Sequence, residues 1–134
     1  MLQDLTDRGA VLSAMREFDL GRRAFLRKYN YRSAADFLVE HNGRFYDSKA
    51  IAGVAYGYQY PARGPLKPSQ FTIGEATVKR KLESLTFRIA DVYEPDGRNH
   101  YLLKLNVDGE PRLLLAKDWE GRDITIDHVQ TQRD

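Results

Sequence analysis

Apolar residues recur along the first two thirds of the chain at the two periods that separate helix from strand. Val11, Leu12, Met15 and Phe18 share one face of a helix expected to begin near Thr6 or Asp7. Asp19-Leu20-Gly21 then breaks the pattern, and Asp19 is expected to cap a second helix. In that helix Ala24, Phe25, Leu26 and Tyr29 form the core side, with Arg22, Arg23, Arg27 and Lys28 outside. From Phe37 to Tyr46 the run FLVEHNGRFY predicts two short strands joined at Asn42-Gly43, because both central residues of a type I′ turn need positive φ. Asp47 or Ser48 is expected to cap a buried helix containing Ala50, Ile51, Val54 and Ala55, with Gly53 and Gly57 allowing close packing.

Three prolines between Pro61 and Pro68 predict a surface loop. Beyond it, Ala76, Val78, Leu82 and Leu85 predict an amphipathic helix over residues 74–85 with Lys79, Arg80 and Lys81 on its basic side, and Phe87 to Val92 predicts a strand closing a small sheet. The pattern changes after Pro95. Runs at 101–105, 112–116 and 123–127, the first two flanking Asp108-Gly109, predict a β-meander. Three such strands are marginal alone, so they are expected to pack on the first unit or on a partner. The fold class is therefore α+β: a small helical unit with a short antiparallel hairpin or sheet in the order α-α-β-β-α-α-β, followed by a C-terminal β-meander.

Charge divides the chain at a similar place. Residues 1–90 carry 15 Lys and Arg against 9 Asp and Glu, while residues 91–134 carry 6 against 10. The expected organisation is a basic module over 1–90 and an acidic meander over 91–134, the first suited to an anionic partner. A total of 134 residues with 42% hydrophobic and 30% charged residues suits one globular domain. No apolar run approaches the roughly 18 residues of a membrane span, and the first residues lack the apolar core of a signal peptide. A cytoplasmic protein without membrane association is expected. The chain has no cysteine, which excludes disulfides, thiolate zinc sites and cysteine nucleophiles.

Candidate chemistry changes this picture little. His41, His100 and His128 lack the spacing of a metal site, so no metal and no cofactor is expected. Ser48-Lys49 lacks the one-turn separation that serine-lysine nucleophiles use, and no catalytic set emerges. What remains is a cationic set able to neutralise phosphates: Arg22, Arg23, Arg27 and Lys28, with Arg32 close by, then Arg44, Lys49, Arg63, Lys67, Lys79, Arg80 and Lys81. Tyr56, Tyr58 and Tyr60 are candidates for stacking on a base, with a place in the core as the alternative.

Three stretches then resemble a known family: Gly21-Arg22-Arg23-Ala24-Phe25-Leu26-Arg27-Lys28-Tyr29; the run from Phe37 through Tyr46-Asp47-Ser48-Lys49-Ala50-Ile51 to Ala55; and Phe71 through Gly74-Glu75-Ala76-Thr77 to Leu85-Thr86-Phe87. In order and spacing they are similar to the N-terminal head domain of McrA-type restriction endonucleases of actinobacteria, multi-domain enzymes that cut modified DNA. The resemblance implies an attached module, since the family's nuclease is a separate HNH domain with no counterpart here. This sequence departs from the pattern at Tyr56, where a His often stands, at Thr72-Ile73-Gly74 in place of Ser-Gly-Gly, and at Thr86 in place of Gly. A role for the missing His does not carry over.

Three readings of function follow. The first is a non-catalytic DNA-binding module of a modified-DNA restriction or phage-defence system. The second is a docking or dimerisation module whose partner is a nuclease or a second copy. The third is a small nucleotide-acting enzyme built around Ser48, Lys49 and Tyr56, which requires those side chains to line one pocket.

Overall fold

The computed structural model describes residues 1–32, 34, 37–71, 75–93, 100–117 and 129–131. Asp7 starts the first helix with its side chain, Oδ1 accepting from the Gly9 N–H at 2.8 Å, and α1 runs Arg8–Phe18. The second helix, α2 (Arg22–Tyr29), begins at Gly21 with no side-chain cap, and it ends at Asn30, whose left-handed φ of 60° turns the chain away. Asp19 is thus not the cap expected of it. Its carboxylate accepts from Tyr46 Oη and from Arg44 Nη1, both at 2.9 Å, joining the corner after α1 to the hairpin.

That hairpin is β1 (Phe37–His41) and β2 (Arg44–Asp47), with Asn42 and Gly43 at φ 53° and 80° as a type I′ turn demands. Glu40, buried beneath the turn, accepts from the Gly43 N–H at 2.9 Å. The helix α3 (Ser48–Gln59) follows directly, and Asp47 occupies its N-cap position without capping it. Ser48 is no cap either, since its buried hydroxyl donates to the Phe37 carbonyl at 3.0 Å. The proline-bearing segment ends in a short 3₁₀ turn at Pro68–Gln70 and is not all surface, because Leu66 is buried. The last helix is α4 (Glu75–Ser84).

Strands β3 (Arg88–Tyr93), β4 (His100–Val107), β5 (Glu110–Lys117) and β6 (Val129–Thr131) complete a sheet of order β2-β1-β3-β4-β5-β6, every neighbouring pair antiparallel. Asp108 and Gly109 close the β4–β5 hairpin at φ 53° and 83°. The meander therefore does not form a second sheet: β3 bonds to β1 along one edge and to β4 along the other. The expected strand at 123–127 lies outside the described residues, as do Thr72-Ile73-Gly74, and the strand that pairs with β5 is β6.

Alternation along the strands gives the sheet two apolar faces. Val39, Tyr46 and Ile89 join the core made by the helices, where Ala10, Val11, Ala14, Met15 and Phe18 of α1 meet Ile51, Val54 and Ala55 of α3. Fully burying a side chain such as Ile51 contributes about 1.5–3 kcal/mol. On the opposite face Leu38, Phe45, Ala90, Leu103 and Leu105 gather with Ala34 in a second cluster.

Thr86 carries a local cost. It follows α4 in a left-handed conformation, φ 69°, with the Phe87 N–H bonded back to the Leu82 carbonyl at 3.1 Å. A β-branched residue is strained there by roughly 1–3 kcal/mol. This position is the one where the resembling family carries glycine. Thr86→Gly gives up the 3.0 Å bond from Arg8 Nε to Thr86 Oγ1 and adds freedom to the unfolded chain. Release of strain outweighs both, so the variant is expected to gain about 0.5–1 kcal/mol, read as a melting temperature a few degrees higher. An unchanged or lower melting temperature contradicts the strain.

Candidate nucleic-acid interface

The turn at Asn30 sends Tyr31 inward, where its hydroxyl donates to the Leu66 carbonyl while the Leu66 N–H donates to the Gly53 carbonyl at 3.0 Å. Burial pushes the Tyr31 phenol well above its ordinary pKa, so it stays a donor. The proline-bearing segment is thereby laid on α3, and two glycines make room for it. A Cβ at Gly53 would stand 2.0 Å from Tyr31 Oη, and one at Gly57 would stand 2.6 Å from the Pro65 nitrogen.

Between this segment, the residues following α2 and the first turn of α3 lies a groove of about 1060 Å³. Lys28, Arg32, Lys49 and Lys67 all line it. Arg32 and Lys67 are exposed and have no ion-pair or hydrogen-bonding side-chain partner among the described residues. The Lys49 ammonium sits 5.1 Å from the centre of the Phe71 ring, and Lys28 shares its charge with Glu17 at 3.3 Å. Asp47 is the one carboxylate among the described residues that line the groove. It is spent: Arg22 grips it through Nε at 2.8 Å and Nη2 at 2.9 Å, and the Ala34 N–H donates to it at 2.8 Å. The groove is therefore positive at its rim and neutral at depth.

The rest of the cationic set is dispersed. Arg22 is mostly buried in its Asp47 pair, its side chain 11% exposed. Arg23 and Arg27, one turn apart on α2, are exposed without described partners. Arg80 is exposed and lines a second cleft with Lys81 and Phe71, so the two positive regions adjoin at Phe71. Lys81 donates to the Gln3 carbonyl at 3.1 Å, and Lys79 pairs with Asp91 at 3.2 Å. Arg44 pairs with Asp19 on the hairpin, and Arg63 donates to Tyr56 Oη at 2.9 Å.

The three tyrosines are held by their hydroxyls. Because α3 reaches Gln59, Tyr56 and Tyr60 fall one turn apart, their ring centres 4.9 Å from each other, and Tyr58 points the opposite way. Tyr56 is buried and Tyr60 donates to the Asp4 carbonyl at 2.8 Å. Tyr58 keeps 44% of its surface exposed, but its hydroxyl donates to Glu17 Oε1 at 2.6 Å, which pushes the phenol up to about 12.

Glu17 also accepts from Tyr29 at 2.6 Å and from Lys28. Partial burial works to raise its pKa, yet the bonds from Tyr29, Tyr58 and Lys28 prevail and hold it below the ordinary carboxylate value. The unfolded chain then binds more protons than the folded one near pH 4, and stability rises with pH across that range. The contribution of Glu17 is complete above about pH 5 and is lost as pH falls through the lowered folded value. Glu17→Gln is expected to flatten the acid limb: its melting temperature at pH 3.5 relative to pH 6 falls less than that of the parent. Equal falls contradict the assignment.

No group of three or more metal-binding side chains occurs among the described residues. His41 packs edge-on to Phe87 with ring centres 5.8 Å apart, and His128 lies outside the described residues. Ser48 and Tyr56 are both buried, and neither lines the groove that Lys49 lines. Sequence reasoning placed Arg32 in a basic stretch without singling out its site, and it overlooked the partnership of Arg22 with Asp47. Phe25 and Leu26, three and four positions after Arg22, mark its edge of α2 as inward-facing and were the available signal. Among the described residues no helix is long and apolar enough to cross a membrane.

A family model described as "ScoMcrA-like, N-terminal head domain" matches residues 3–91. The match runs from the first residues to within β3. No curated protein and no solved structure matches the chain.

Proposed function

The chain belongs to the ScoMcrA-like N-terminal head-domain family, and from that premise we propose that it is a non-catalytic DNA-binding module of a modified-DNA restriction or phage-defence system. The carrying observation is the convergence of Lys28, Arg32, Lys49 and Lys67 on one groove whose carboxylate is already neutralised. Phosphate contacts of this type position a strand without reading its sequence. The adjoining cleft with Arg80 and Lys81 extends the path a strand can follow.

A binding role also suits what the polar groups are doing. Asp47 is saturated by three donors, and the Ser48 hydroxyl is committed to a backbone carbonyl, which leaves neither poised for proton transfer or attack. The head module holds DNA and the cutting is left to another domain or chain. A gel shift at low salt tests this reading: the parent retards DNA and the Lys49→Glu/Lys67→Glu variant does not. Absence of any shift with either duplex or single-stranded DNA, modified or unmodified, overturns it.

A further inference from the structure

We infer that the groove receives an unpaired nucleotide of a DNA strand, its phosphate on the cationic rim and its base against the apolar floor. This inference rests on the DNA-binding reading above and adds the strand state that the groove accepts.

The groove has depth as well as charge. Lys28, Arg32 and Lys67 are exposed at its rim, while Tyr31, Ala34, Ala50 and Leu66 lie beneath at 7, 8, 1 and 3% exposure. Pro65 is exposed and Pro68 half-buried, and both line the groove with half-buried Tyr29, so its wall adds apolar surface to that floor. A duplex carries its phosphates on a convex outside and keeps its base faces stacked on one another, so it has nothing to place on a sunken apolar surface. An unpaired base has a free face, and stacking of this type tolerates any sequence. The volume of about 1060 Å³ is ample for one nucleotide.

Polar groups at the rim fit the same occupant. The Asn30 amide and Ser69 hydroxyl line the groove, are exposed, and have no partner among the described residues. They offer donors and acceptors to a base edge that pairing would otherwise occupy. The pairing of Asp47 with Arg22 offsets the one carboxylate charge among the described lining residues, so it does not oppose a phosphate on the rim.

Fluorescence anisotropy at fixed low salt with three labelled probes tests the inference: a twelve-nucleotide single strand, the same sequence as a blunt duplex, and an abasic strand of equal length. The single strand is expected to bind about tenfold more tightly than either of the others, and Lys49→Glu/Lys67→Glu to remove that preference. Deoxynucleoside monophosphate is expected to compete only at much higher concentration, because it engages the same groove without the neighbouring phosphates. Equal affinity for the three probes overturns the inference and leaves the DNA-binding reading standing. A single-strand preference that survives Lys49→Glu/Lys67→Glu also overturns it, by moving the site elsewhere. No binding of any probe removes both.

Discussion

Arg22→Ala is expected to destabilise the fold by about 3–5 kcal/mol. The substitution leaves Asp47, whose side chain is 2% exposed, with one donor, the Ala34 N–H, in place of three. An ionised carboxylate stripped of its partner in such a place retains its desolvation cost and loses the attraction that offsets it. The pair also joins elements distant in sequence, since Arg22 opens α2 and Asp47 links β2 to α3. Urea denaturation measures the loss directly. Arg22→Lys is expected to recover only part of it, because an ammonium does not reproduce the two-pronged contact. A loss under 1 kcal/mol would show that the pair behaves as an exposed one.

Gly53→Ala is expected to be the second severe change, costing about 2–3 kcal/mol by overpacking. In an open helix the same replacement is favourable by about 1 kcal/mol. Here the added methyl meets Tyr31 Oη at 2.0 Å and Tyr31 Cζ at 2.8 Å, with the Leu66 carbonyl at 3.2 Å. Tyr31 must move, its bond to Leu66 is lost, and the segment forming one wall of the groove loosens from α3. Tyr31→Phe removes the closest atom, so Gly53→Ala/Tyr31→Phe is expected to cost less than the sum of the single changes, a coupling of about 1 kcal/mol. Stability and DNA affinity are expected to fall together in Gly53→Ala. Additive costs in the double variant contradict the clash.

Local features of this fold were legible in the sequence because their causes are local. Asn42-Gly43 announces its turn through the positive φ that both positions adopt, and the helical spacing around Val11 to Phe18 announces α1. The α-α-β-β-α-α-β order follows from such signals. What escaped depends on partners far along the chain. Asp47 looks like a helix cap until Arg22, 25 positions earlier, takes its carboxylate. Leu66 looks like loop until Tyr31 and Gly53 bury it. The joining of the meander to β1 through β3 likewise rests on pairing that no window of sequence contains.

The candidate site was legible as a composition and not as a place. A dozen cations were visible, and the four that converge come from the end of α2, the segment after it, the start of α3 and the proline-bearing loop. Those that look equivalent in sequence separate by their neighbours: Arg22 to Asp47, Arg44 to Asp19, Lys79 to Asp91. Thr86 is a different case, since its departure from the family's glycine marked a backbone position whose strain the structure then located.

The salt dependence of DNA binding tests the central claim most directly. Each phosphate neutralised contributes about 0.7 to the slope of log K against log salt for a single strand and about 0.9 for a duplex. The account predicts that Lys49→Ala/Lys67→Ala makes the slope shallower by about 1.4–1.8, while Arg16→Ala on the exposed surface of α1 leaves it unchanged. Equal slopes for the parent and the Lys49→Ala/Lys67→Ala variant would show that the groove does not hold the phosphates.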